Sequence, residues 1–154
     1  MATETDTVAV GKEASAKGEN AVAIGGEATA DAKDSVAIGK FAGVHKDYEG
    51  ATAIGRGAIG YGKYAVALGY KPDTRAENSV AIGKGVDLTE AATSSIGIGN
   101  KVSITGADSV AIGNGATAQH WGITIGNARS TANQTVVIGD EAKAGSGASL
   151  AIGP

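Results

Sequence analysis

A four-residue phrase recurs eleven times along this chain, each copy an apolar residue, a small residue, an apolar residue and a glycine. The copies are Val8-Ala9-Val10-Gly11, Val22-Ala23-Ile24-Gly25, Val36-Ala37-Ile38-Gly39, Thr52-Ala53-Ile54-Gly55, Val66-Ala67-Leu68-Gly69, Val80-Ala81-Ile82-Gly83, Ile96-Gly97-Ile98-Gly99, Val110-Ala111-Ile112-Gly113, Ile123-Thr124-Ile125-Gly126, Val136-Val137-Ile138-Gly139 and Leu150-Ala151-Ile152-Gly153. Successive glycines lie 14, 14, 16, 14, 14, 16, 14, 13, 13 and 14 residues apart. A period this short, held from end to end, specifies a stack of near-identical coils in which each unit contacts its neighbours. Residues 1–154 are therefore expected to form one elongated solenoid of about eleven coils.

Apolar residues at i and i+2 follow the two-residue period of a strand. A glycine in every unit and the abundance of β-branched residues exclude a helix. A short strand, a turn at the glycine, a second short extended stretch such as Ala14-Ser15-Ala16 or Ala28-Thr29-Ala30, and a return turn account for one coil. Coils spaced about 4.8 Å apart would stack into an all-β rod of roughly 50 Å. Aromatic residues make up only 4% of the chain, so the coil is thin. The alternation predicts two inward columns of valine and isoleucine. It also predicts an outward column of small residues: Ala23, Ala37, Ala53, Ala67, Ala81, Ala111 and Ala151. Small uncharged residues on an outer face allow close approach of a second backbone, so this column is expected to be an oligomer interface. Alanine also suits a tight local bend, which is the alternative account.

The two 16-residue units place their additional residues in turns, because the strand phrases stay intact. These insertions, around His45 to Tyr48 and around Asp87 to Glu90, are expected bulges that serve either as binding loops or as neutral length variation. Tyr48, Tyr61, Tyr64 and Tyr70, with Phe41, fall within thirty residues and are candidate contact anchors for a partner, or packing over turn glycines. Asp6, Asn20, Asp34, Asn78 and Asp108 recur two residues before the apolar phrase, where short polar side chains support turns and tolerate left-handed backbone.

Net charge is −3, and lysine and arginine look scattered along the chain, so no nucleic-acid or anionic-membrane footprint is expected. Cysteine is absent, which excludes disulfides and thiolate metal sites. His45 and His120 lack ligand-spaced companions, so no metal site is expected. Gly55-Arg56-Gly57-Ala58-Ile59-Gly60 matches a dinucleotide fingerprint in letters only, since the strand, long helix and distant acidic residue that give the motif meaning are missing. No catalytic set can be assembled and no cofactor is implied, so the chain is not expected to be an enzyme. The polar amino terminus has no secretory-signal pattern and no apolar run is long enough for a membrane helix. An export signal and anchor are thus expected to lie elsewhere if the protein works at a cell surface.

The segments Asn20-Ala21-Val22-Ala23-Ile24-Gly25, Asp34-Ser35-Val36-Ala37-Ile38-Gly39, Asn78-Ser79-Val80-Ala81-Ile82-Gly83 and Asp108-Ser109-Val110-Ala111-Ile112-Gly113 resemble the head repeat of YadA-like trimeric autotransporter adhesins. The resemblance implies a left-handed parallel β-roll and a homotrimer on the outer membrane of a Gram-negative bacterium. It also implies multivalent binding to host extracellular matrix such as collagen. It marks Asn78 and Ser79, in the single full Asn-Ser-Val-Ala-Ile-Gly copy, as candidate ligand contacts beside the tyrosines. No coiled-coil stalk or membrane barrel is visible. A structural spacer or receptor-binding module of a phage or prophage tail fibre is the alternative. A hexapeptide-repeat acyltransferase is disfavoured, because it would need a six-residue period.

Overall fold

The computed structural model describes residues 1–2 and 4–153. They form a solenoid with two parallel sheets and no helix. One sheet, here called the wide sheet, has eleven strands running in chain order from Val8–Val10 to Leu150–Ile152. The other, the narrow sheet, has ten two-residue strands from Ser15–Ala16 to Lys143–Ala144. Each coil contributes one strand to each sheet and pairs in register with the coils on either side, so that Val22 aligns with Val36, Ala23 with Ala37 and Ile24 with Ile38. In the middle of the rod the wide strands lengthen to five residues, as in Val66–Tyr70, Val80–Lys84, Ile96–Asn100 and Val110–Asn114. There the phrase glycine and its successor keep pairing with their counterparts.

Two kinds of turn close every coil. After the wide strand comes the phrase glycine, at φ between +102° and +146°, a region that L-residues avoid. In all but the last of these glycines a Cβ would overlap the glycine of the next coil, so backbone stacks on backbone along this edge, hereafter the glycine edge. After the narrow strand comes the return edge, where Asn20, Asp34, Asn78 and Asp108 are left-handed at φ 54° to 57°. That is the conformation their side chains tolerate. The same conformation is imposed on Tyr64, Ser94, Trp121 and Gln134, which shows that the coil geometry, not the side chain, sets the backbone at this position.

The interior overturns one expectation. The alanines of the phrase point inward: Ala23, Ala37, Ala53, Ala67, Ala81 and Ala111 are fully buried within their own chain, and Ala151 at the last coil is partly buried. The flanking valines and isoleucines look outward, with Ile24, Leu68, Ile96, Ile112 and Ile123 all at least 36% exposed. The strand alternation holds, but the two faces are the reverse of those expected. A 14-residue coil has so little width that the sheets approach closely, and one methyl per position fills the space between them. Over the first coils the core is therefore alanine throughout: Ala16, Ala21, Ala23, Ala28, Ala30, Ala37 and Ala42.

Further along, larger side chains enter from the narrow-sheet side, namely Val86, Leu88, Val102 and Ile104. The wide sheet compensates at the same level with Gly97. A Cβ placed there would lie 2.8 Å from Leu88 Cδ1 and 3.0 Å from Val86 Cγ1. Small faces large across the coil, as close packing demands. A serine or threonine column completes the interior. Ser35 and Ser79 each donate to the carbonyl three residues earlier, at 2.6 Å, across the return turn. Outside that column, on the narrow strand, the fully buried Thr74 hydroxyl has no hydrogen-bond partner.

Three outcomes are expected from thermal or urea unfolding. Gly97→Ala lowers stability by about 1–3 kcal/mol through overpacking, and Leu88→Ala costs less in that background than in the wild type. Thr74→Val raises stability by about 1 kcal/mol, because it removes an unsatisfied buried hydroxyl at nearly constant shape. Ala81→Glu places a charge in an interior with no counter-ion and abolishes folding.

Candidate functional site

The grooves among the described residues are shallow and open, as suits so thin a solenoid, which directs attention to its outer surfaces. Two stand out. The first is the outer face of the wide sheet, where the exposed phrase residues align in two columns. One runs Val8, Val22, Val36, Thr52, Val66, Val80, Ile96, Val110, Ile123, Val136, Leu150. The other runs Val10, Ile24, Ile38, Ile54, Leu68, Ile82, Ile98, Ile112, Ile125, Ile138, Ile152. Thr52 is the single polar residue in them. Isolated exposed aliphatics are ordinary on protein surfaces, but a two-column stripe along a whole rod, interrupted only at Thr52, marks an interaction face.

The second surface is the return edge at the first insertion. Lys46 and Asp47 are accommodated by a tight turn closed by the Tyr48 N–H donating to the His45 carbonyl at 3.1 Å. This turn sets the Tyr48 ring against Tyr61 of the next coil, with centroids 5.4 Å apart and planes 19° from parallel. His45 lies over both, at 6.1 and 6.3 Å, and its Nδ1 is 3.1 Å from the Asp47 carboxylate. Beside the stacked pair runs a shallow groove of about 290 Å³ whose lining includes Asp47, Lys63, Arg75, Glu77 and Glu90. Glu90 belongs to the second insertion, which closes in the same way, Ala92 N–H donating to the Thr89 carbonyl at 2.9 Å. Both insertions thus sit on the same edge and border one groove.

The candidate contacts divide under this geometry. Tyr48 and Tyr61 come together. Tyr64 is on the same edge, 54% exposed, with its ring lying against Gly50. Tyr70 is also exposed but lies on the glycine edge with Phe41, so the aromatics form two groups rather than one. Asn78 is exposed at its left-handed turn. Ser79 is not available to a ligand: it is fully buried and its hydroxyl is spent on the Ala76 carbonyl. The alanine column is excluded as an intersubunit contact by its burial inside the coil. The aliphatic columns were visible in the sequence as the strongest pattern present, yet were assigned to the interior because branched side chains usually fill one.

Side-chain ladders add order to the return edge. Glu19, Lys33, Glu49, Lys63 and Glu77 occupy equivalent positions in successive coils, linked through Asp34, Gly50, Tyr64 and Asn78 backbone bonds, and their charges alternate in sign. The Lys33 ammonium lies 3.4 Å from Glu19, and its pKa is raised, first by the Glu19 hydrogen bond and then by the charges of Glu19 and Asp34. Asn20 Nδ2 donates to Asp34 Oδ1 at 2.8 Å in the neighbouring column. His120 accepts the Ala107 N–H at Nδ1, at 2.6 Å, a structural use of that ring.

The YadA head domain repeat matches residues 2–28, 16–42, 49–71 and 105–120, together more than half of the chain. The chain belongs to the YadA head family. YadA heads are adhesin-type domains of surface-exposed trimeric autotransporters, and the family is not an enzymatic one. No curated protein matches the sequence significantly. The matched segments span both the all-alanine coils and the coil carrying Asp108, whereas the region of Val86, Leu88 and the second insertion lies between matches. Residues 121–154 of this YadA head also lie outside the matches.

Three substitutions separate the structural from the contact roles of the Asn78-Ser79 pair. Ser79→Ala lowers unfolding stability by about 1 kcal/mol through loss of a buried hydrogen bond. Asn78→Val costs about 1–2 kcal/mol because a β-branched residue is forced left-handed, whereas Asn78→Gly is nearly neutral. Thermal midpoints of the three variants check the order.

Proposed function

We propose that the protein is the head of a cell-surface adhesin, working as a homotrimer whose three wide sheets pack their aliphatic columns together and leave the return edges outside. The observation that carries this reading is the stripe of outward valine, isoleucine and leucine on the wide sheet, interrupted only at Thr52, in a chain of a trimer-forming family. Each of these half-exposed residues contributes on the order of 1 kcal/mol when buried. Summed over two columns, that exceeds the roughly 4–15 kcal/mol lost on association. The interface is thus assigned to residues such as Val66, Val80, Ile96, Ile98, Ile112 and Ile125, not to the alanines beneath them.

On such a trimer the aromatic and charged groove around Tyr48, Tyr61, Lys63, Arg75, Glu77 and Glu90 is presented three times around a rigid axis. Weak contacts repeated in this way give avidity toward an extended partner. Host extracellular matrix proteins such as collagen are partners of that form, and an outer-membrane anchor on the same polypeptide would hold the head at the bacterial surface. No chemistry is required of the groove beyond binding.

Two measurements test the proposal. Ile96→Glu combined with Ile112→Glu should convert a trimer to a monomer by light scattering while retaining the β-type circular dichroism; an unchanged trimer would remove the aliphatic-face assignment. Tyr61→Ser with Tyr64→Ser should leave the trimer intact and weaken adhesion to immobilised collagen, fibronectin or laminin several-fold. A wild-type trimer that adheres to none of the three would favour a spacer, as in a tail fibre, over an adhesin.

A further inference from the structure

In-register stacking turns residues fourteen to sixteen positions apart into neighbours, and on the glycine edge this assembles a charge pattern that the linear sequence disperses. The two turn positions after the phrase glycine read Lys40-Phe41, Arg56-Gly57, Tyr70-Lys71, Lys84-Gly85 and Asn100-Lys101 in five consecutive coils. Their backbones are bonded directly: Gly57 N–H to the Lys40 carbonyl, Lys71 to Arg56, Gly85 to Tyr70 and Lys101 to Lys84, at 2.8 to 3.0 Å. Every one of these coils carries a cation there and none carries a carboxylate. Lys40, Arg56, Lys71, Lys84 and Lys101 are all exposed, and among the described residues none forms an ion pair.

The opposite edge shows that this is not a necessity of the fold. There the Glu19-Lys33-Glu49-Lys63-Glu77 column alternates in sign, the arrangement that relieves stacking of like charges. Along the glycine edge five like charges are held about one coil rise, roughly 4.8 Å, apart at the backbone. That is inside the screening length of about 8 Å at physiological salt. Such a row attracts and orders counter-anions along roughly 20 Å of rod. Gly57 and Gly85 keep its floor low, and nothing lies within 4 Å of where a Gly85 Cβ would stand. A shallow groove of about 370 Å³ opens between Phe41, Arg56, Ile59 and Lys71. Asp73, at its border, is already neutralised by a two-pronged bond from Arg75, at 3.2 and 2.5 Å; Asp87 stands in the same narrow-sheet column.

We propose that this glycine-edge strip, Lys40, Arg56, Lys71, Lys84 and Lys101, is a docking track for a linear sulfated polysaccharide. A chain of anionic sugars presents a row of charges to a row of cations and needs no deep pocket. A single-stranded nucleic acid would also need open aromatic faces for its bases. Here both aromatics on the strip carry an ammonium over the ring, Lys40 at 4.7 Å from the Phe41 centroid and Lys71 at 5.6 Å from Tyr70. A sulfated glycan is also a polyanion met outside cells, and in this respect the assignment rests on the surface-adhesin reading.

Purified assembled protein would be titrated onto surfaces bearing heparin, chemically desulfated heparin or oligo-dT, across a salt series, with the mass of each sample measured by light scattering. Heparin should bind more tightly than either comparison probe, with a steep salt dependence. The triple variant Arg56→Ser, Lys71→Ser, Lys84→Ser should lose at least about tenfold in heparin affinity and flatten the salt slope. A control that removes the same charge elsewhere, Lys17→Ser, Arg129→Ser, Lys143→Ser, should stay within about twofold. Equal weakening by both triples, equal binding of the desulfated chain, or tighter binding of oligo-dT would each overturn the track. A monomeric wild type would sink the trimer reading and leave the heparin comparison readable. Indifference to sulfation in a verified trimer would sink the track alone.

Discussion

Everything in this protein follows from hydrogen bonds that run along the rod and hold each residue directly over its counterpart one coil away. Because the pairing is parallel and in register, a choice made at one position is repeated at every level, and columns rather than individual residues are the units of the structure. Glycine stacks on glycine where the backbone takes φ near +130°. Asx residues stack at the left-handed return turn, hydroxyl on hydroxyl before the phrase, alanine on alanine inside. A column tolerates an exception only if its neighbours across the coil adjust, as Gly97 does for Leu88 and Val86.

The same constraint explains why the aliphatic side chains face out. A short coil brings its two sheets too near for branched residues on both inner faces, so the hydrophobic residues that would build a core in a wider fold are displaced to the outside. On the proposed trimer, part of the free energy that a globular domain obtains within one chain would come from assembly instead. The chain specifies its coil by alanine and glycine, and on the proposed trimer valine and isoleucine would form the contact between chains.

Much of this was legible beforehand. Period, strand alternation, parallel stacking, the turn role of the Asx column and the placement of the insertions in turns can all be read from Val8 to Gly153 without a structure, as can the family. Facing was not. Alternation marks two faces without saying which is inside, and that depends on the sheet separation, which no local pattern reports. The family resemblance marks Ser79 as a contact through its Asn-Ser-Val-Ala-Ile-Gly segment, whereas the bond of its hydroxyl to the Ala76 carbonyl exists only once the return turn closes. The row from Lys40 to Lys101 was hidden for a different reason, since its members are spread over sixty residues and become adjacent only through the register.

The direction of those rungs has a mechanical corollary. Chain segments run across the rod and their hydrogen bonds run along it, so a pull on the two ends loads the rungs one level at a time, in the manner of a zipper rather than a shear joint. A solitary solenoid would yield from its tips under tension. Sister chains clamped laterally through the aliphatic stripe would have to separate over many coils at once, so for a protein stretched between two surfaces the stripe would serve as its tensile reinforcement.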